Sequence, residues 1–62
     1  MKPSWDESPE WAQWLAMDDD GEFCWFENKP FLSDGMWFDA KDGREITHSF
    51  SVRGEPFIEC RP

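Results

Sequence analysis

Asp20-Gly21-Glu22-Phe23-Cys24-Trp25-Phe26-Glu27 is the stretch that decides how this chain is read. A short apolar run rich in β-formers follows an Asp-Gly pair and ends at Asn28-Lys29-Pro30. Gly accepts positive φ freely, and Asp tolerates it with help from its own side chain, so Asp-Gly marks a turn. The same pair recurs as Asp34-Gly35 and Asp42-Gly43, and Gly54 follows Arg53; the gaps between the four glycines are 14, 8 and 11 residues. Turn signals at such spacing predict a mainly β fold, a small antiparallel meander of three or four strands.

The segments between the turns fit that reading. A strand is expected at about 13–18, a second at 22–27, and another at 36–39, Met36-Trp37-Phe38-Asp39. Residues 44–51 alternate: Ile46, His48 and Phe50 face one way, Glu45, Thr47, Ser49 and Ser51 the other, the period of a half-buried strand. Residues 56–60 add a short edge strand, where Pro56 is tolerated because no amide hydrogen is needed. Nearer the N-terminus, Ser8-Pro9-Glu10 has the chemistry of a helix start, with Ser as cap and Pro in the first turn. A short helical turn is expected at about 9–12, with a helix continuing through Met17 as the alternative. Residues 1–8 read as a loose arm that Trp5 could tuck down, and 9–62 as one small β domain.

A chain of 62 residues buries only about 60% of the surface its unfolded form exposes. Five Trp and six Phe offset this, since each buried ring removes about 150–250 Å² from water. These rings also argue against disorder, in spite of a formal net charge of -8. The charge is uneven. Residues 1–28 hold eight carboxylates against Lys2, whereas 29–62 hold six against five basic residues.

Several chemistries are tested by this composition. In Asp18-Asp19-Asp20-Gly21-Glu22, a calcium-loop alignment with Gly21 sixth and Glu27 twelfth puts Ala16 first, where a ligand is required. Cys24, Cys60 and the single His48 do not make the four-ligand set of a zinc site. A reduced pair of thiols is expected, with a disulfide left open by spacing alone. His48 is read as a satisfied core or rim residue, not as the base of a catalytic pair. No enzyme, cofactor or metal is expected. The acid repels nucleic acid, and no apolar run suggests a leader or a membrane span. Cytoplasmic placement follows as the expectation.

Pro9-Glu10-Trp11-Ala12, then Leu15-Ala16-Met17-Asp18-Asp19-Asp20-Gly21-Glu22, then Trp25-Phe26-Glu27-Asn28-Lys29-Pro30 resembles small acidic, Trp-rich accessory proteins of tailed bacteriophages. Trp37 after the second turn and the closing Arg61-Pro62 extend the resemblance over nearly the whole chain. It carries no established activity and implies a bacterial cytoplasm during infection. The expected function is therefore non-enzymatic: a phage accessory protein that binds, and in one version inhibits, a host protein through an acidic and aromatic surface. Asp18, Asp19, Asp20, Glu22, Trp11, Trp14 and Trp25 are the candidate contacts, with Trp5 and Trp37 as further aromatic candidates. The partner would carry a basic groove. The alternatives are a nucleic-acid mimic that blocks a defence, repair or transcription enzyme, and a self-associating protein whose aromatic faces form a homodimer.

Overall fold

In the computed structural model, which describes residues 2–62, the apolar run becomes a strand paired on both sides. Six strands form: β1 (Trp14–Met17), β2 (Glu22–Phe26), β3 (Phe31–Ser33), β4 (Met36–Phe38), β5 (Glu45–Phe50) and β6 (Phe57–Cys60). The main sheet is antiparallel in the order β5-β2-β1-β6, and β3 and β4 form a separate hairpin. The class is mainly β, with one short helical turn near the N-terminus. The order within the sheet is that of a Greek key, because the fourth strand returns past the sheet end to lie beside the first. The β3–β4 hairpin is inserted between the second and third strands of that key.

β1 and β2 are central, so their alternate side chains meet a core on each face. Leu15, Phe23 and Trp25 pack with Ala12 on one face, under Trp5, Trp11, Met17 and Phe57. Ala16, Cys24 and Phe26 form the other core, covered by Trp14, Trp37 and Ile58. This is why the run Phe23–Phe26 is continuously apolar: both sets of alternating positions are buried. Fully burying Leu15 or Phe26 is worth about 1.5–3 kcal/mol each.

Each turn is specified locally. Gly21 N–H donates to Asp18 O (3.0 Å), and Asp18 N–H to Glu22 O (3.0 Å). With Gly21 at φ +94°, this is a three-residue hairpin loop, Asp19-Asp20-Gly21, whose left-handed position needs glycine. Asp34 and Gly35 both have positive φ, the two-residue turn whose twist matches a hairpin. Asp42-Gly43 serves differently. It lies in a connection braced by the Asp39 carboxylate, which accepts from the N–H groups of Lys41 (3.1 Å) and Gly43.

Two expectations about the N-terminal segment are corrected. The helical turn is not at 9–12 but at Trp5–Glu7, where Ser4 caps it by accepting from Asp6 N–H (3.2 Å). Residues 9–12 make a single turn, closed by Ala12 N–H to Pro9 O (3.1 Å). Gln13 N–H then donates to Phe26 O (2.9 Å), which commits the chain to the sheet and excludes a helix through Met17. The arm is also fastened rather than loose from residue 2 onward. Lys2 pairs with Glu59 (2.8 Å), Trp5 Nε1 donates to Glu59 (2.8 Å), and the Trp5 ring lies 4.9 Å from that of Trp25. Met1 lies outside the described residues. Arg61 closes the clasp from the other terminus: Nε donates to Ala12 O (2.7 Å), and Nη2 to Ser8 Oγ (2.8 Å) and Pro9 O (3.0 Å).

The alternation expected over 44–51 breaks. Cys24 is opposite Thr47 but Phe23 is opposite Ser49, so His48 is the extra residue of a bulge. Ile46 stays on the Trp25 face, whereas Phe50 moves to the face of its partner Glu22. His48 is held at the rim between Ser49 Oγ (2.8 Å) and Glu7 (2.7 Å), its ring edge-on to Trp25. Both cysteines are free thiols, Cys24 buried and Cys60 exposed.

Candidate partner-binding surface

The acidic run divides into residues that hold the fold and residues that face outward. Asp18 is 6% exposed. Its Oδ1 accepts from Trp37 N–H at 2.7 Å, so it anchors β4 over the second core. Burial pushes its carboxyl above the ordinary range; the Trp37 N–H opposes this, and the negative charges of Glu22, Asp20 and Asp19 add to it. Asp19 and Asp20 are exposed. Their backbone is nonetheless held: Asp19 N–H donates to Gly35 O (2.8 Å), and Gly54 N–H to Asp19 O (3.2 Å). The turn is thus pressed between the tip of the β3–β4 hairpin and the β5–β6 crossover. Glu22 is half-buried and accepts from Thr47 Oγ1 (2.6 Å) and Cys24 Sγ (3.5 Å).

Of the aromatic candidates, Trp25 is 1% exposed and belongs to the core, out of reach of a partner. Trp11 and Trp14 are half-buried, and each is capped by a cation: Arg44 lies 5.3 Å from the Trp11 ring and Lys29 5.4 Å from that of Trp14. Trp37 donates from Nε1 to Met17 O (3.0 Å) and Trp5 to Glu59, so both indoles serve the fold. The structure therefore brings Asp19, Asp20 and Glu22 to one end of the sheet, apart from Trp11 and Trp14 and with Trp37 held beside them through Asp18 and Met17.

The outward-facing apolar residues are elsewhere. Phe50 is 70% and Val52 83% exposed, the most open large apolar side chains described. They flank Ser51, whose N–H donates to Gly21 O (2.8 Å), so they sit beside the acidic turn. Phe50 is also the register partner of Glu22. A second set, Phe31, Leu32, Met36 and Phe38, lies on the β3–β4 hairpin, with the Phe31 and Phe38 rings 5.9 Å apart. The bulge at His48 puts Phe50 on the face opposite to the one that the alternation predicts, and both it and Ile46 are open to solvent. Val52 stands just beyond Phe50, on the crossover.

Four of the six basic residues are engaged within the fold, whereas Lys41 and Arg53 are exposed, Arg53 between Val52 and Gly54. Among the described residues the ion pairs of lysine and arginine are Lys2–Glu59 and Arg44–Glu27, Lys29 lies over the Trp14 ring, and Arg61 donates to the Ala12 and Pro9 carbonyls. Asp18, Asp20 and Glu22 each bring an oxygen within 4.8 Å of the others, the spacing of a cation site. Their oxygens already accept bonds from Trp37 N–H, Glu22 N–H and Thr47 Oγ1. Glu27, the twelfth position of the calcium alignment, is instead chelated by Arg44. Ser49, His48 and Glu7 align a hydroxyl, an imidazole and a carboxylate, but both ring nitrogens are occupied, Nε2 with Glu7 of the N-terminal turn and Nδ1 with the neighbouring Ser49 Oγ of β5.

Comparison with family models, curated proteins and solved structures returns no significant match. No pocket forms among the described residues, and no helix is long and apolar enough to cross a membrane. What the surface offers is a contact chemistry: exposed carboxylates next to exposed apolar side chains on a braced turn.

Proposed function

We propose that this chain is a non-enzymatic binding module that engages a basic surface of a host protein and blocks it, as an accessory protein of a phage-infected bacterial cytoplasm. The observation that carries this reading is the adjacency of Phe50 and Val52 to the Asp19-Asp20 turn. Apolar residues open to water beside exposed carboxylates are the composition of a contact site, with apolar centre and charged rim. The charge gives fast, salt-sensitive association; the apolar pair gives area to bury. The resemblance to phage accessory proteins supplies the cellular setting. A net charge of -8 disfavours a homodimer built on the same face.

Capture from bacterial lysate across a salt series tests the reading. Wild-type chain is expected to retain a basic partner that is released by salt. Asp19→Lys with Asp20→Lys, and separately Phe50→Ser with Val52→Ser, are each expected to abolish capture without unfolding the sheet. If capture is unchanged by both pairs, the reading fails. Competition by duplex DNA for the captured protein would assign the mimicry version, in which the carboxylates occupy a phosphate site.

A further inference from the structure

We propose that the outer edge of β5, Glu45–Phe50, is the docking line for an extended cationic segment of the partner, which joins the sheet as a fifth strand. This rests on the reading of the chain as an acidic binding module and specifies where its partner sits. The backbone makes the first argument. β5 lies at the sheet edge and pairs with β2 alone. No other backbone–backbone hydrogen bond among the described residues involves 45–50. Its outward row of N–H and C=O groups is open, the template that strand addition uses.

The side chains make the second. Ile46 is 52% exposed on the Trp25 face, and Phe50 is exposed on the Glu22 face. The bulge at His48 places them on opposite sides, so an added strand finds an apolar neighbour on each face. Charge makes the third argument and chooses the occupant. Glu45 stands in the strand itself, and Asp39, Asp18 and Glu22 act on it with the same sign; burial first, then these charges, push its carboxyl upward. None of the four is in an ion pair among the described residues. The nearby Arg44 is committed to Glu27 and Trp11. A second copy would bring another excess of carboxylates to this edge, and like charges across strands destabilise pairing. Lysine or arginine at alternate positions of an incoming segment complements it.

The probe is a synthetic Lys-Val alternating peptide of about eight residues, enough to span a strand of ordinary length. Its control has the same sequence with alternate backbone nitrogens methylated. Amide shifts and hydrogen exchange of the full chain are followed by NMR at low salt. The expected result is shifts and slowed exchange centred on 45–50, lost with the methylated peptide. Glu45→Lys, and independently Ile46→Lys, should weaken binding by about tenfold. Equal binding of both peptides, or shifts at the Asp19-Asp20 turn or the β3–β4 hairpin with 45–50 unmoved, overturns edge docking and leaves the acidic module standing. Absence of binding at low salt also overturns it, and lysate capture then judges the module separately. Concentration-dependent protection of 45–50 without peptide gives the edge to a second copy and ends the proposal.

Discussion

Asp18 and Trp37 are joined twice across nineteen residues of chain. The Asp18 carboxylate accepts the Trp37 backbone N–H at 2.7 Å, and the Trp37 indole donates to the carbonyl of the preceding residue, Met17, at 3.0 Å. This pair of bonds fixes the inserted hairpin onto the main sheet. The most acidic stretch of the chain thus contains a buried structural acceptor, and its charge is a burden there. Burial raises the Asp18 carboxyl above its unfolded value, so ionisation works against folding as pH rises through that range. Asp18→Ala removes the acceptor and is expected to cost about 1–3 kcal/mol. Asp18→Asn keeps an acceptor without the charge and should be at least as stable as wild type at neutral pH. Urea denaturation of the two variants checks this; equal losses in both would refute the separation of acceptor from charge.

Gly21 and Gly35 both have positive φ, yet replacing them has different consequences. A Cβ on Gly21 meets the backbone carbonyl of Ser51 in the crossover, whereas on Gly35 it meets the Asp19 side chain. Backbone held by the Gly21–Ser51 hydrogen bond cannot move aside without opening the Greek-key connection; a carboxylate can rotate away. Both alanine variants carry the left-handed strain of about 1 kcal/mol. Gly21→Ala is expected to lose at least about 1 kcal/mol more. Thermal melts of the two variants side by side give the comparison, and equal losses would mean the crossover is not pinned at Gly21.

Arg61 ties the two termini together, so its loss should be felt at the N-terminus. Its guanidinium reaches three oxygens of residues 8–12 and lies 5.0 Å from the Trp5 ring. Hydrogen bonds from a charged donor are worth about 1.5–3 kcal/mol. Arg61→Ala is expected to destabilise by that order and to expose Trp5, seen as a red shift in tryptophan emission. Arg61→Lys should not restore stability, because a single ammonium cannot reproduce the planar fork. Full rescue by lysine would show that only charge is needed.

What the sequence disclosed and what it hid follow from range. β1, β2 and their hairpin were legible because turn chemistry and apolar pattern are local, and β6 was placed as an edge strand on the strength of Pro56. β3 was missed because three residues hold too little period to read, although Asp34-Gly35 announced a hairpin. Nothing local says that Leu15 lies opposite Glu59, so the return of β6 to β1 was out of reach. In the candidate surface, Asp19 and Asp20 were read as exposed because nothing near them in sequence could bury them. Asp18 was misread because its partner is Trp37. One bulge residue, His48, moved Phe50 to the other face.

The two fastening carboxylates set an acid limit. Glu27 is chelated by Arg44, whose Nη2 and Nε donate to it, and it also accepts the Arg44 backbone N–H (3.0 Å); these bonds lower its carboxyl to about 2. Glu59 is lowered likewise, by Lys2 and then Trp5. A carboxyl lowered in the folded state contributes stability that is present above its unfolded value and lost as pH falls through its folded one. For Glu27 that window runs from 4.5 down to about 2. Glu27→Gln should therefore melt below wild type at pH 6, and the gap should close across this window. A gap independent of pH would show that the bond geometry, not the charge, matters at this site.

The two thiols should differ in reactivity for reasons of position. Cys24 lies in the second core with its Sγ facing Glu22 and Thr47, and burial pushes its pKa up to about 12. Since the thiolate is the reacting species, a thiol so placed is inert near pH 8. Cys60 ends the edge strand β6 and is open to solvent. Titration of the native chain with an aromatic disulfide reagent is expected to modify one thiol, Cys60, rapidly. The second should react only in denaturant, at a rate that reports opening of the sheet. Cys60→Ser should leave a native chain with no fast phase. Rapid reaction of both thiols would place Cys24 outside the core, and reaction of neither would indicate a bond between them.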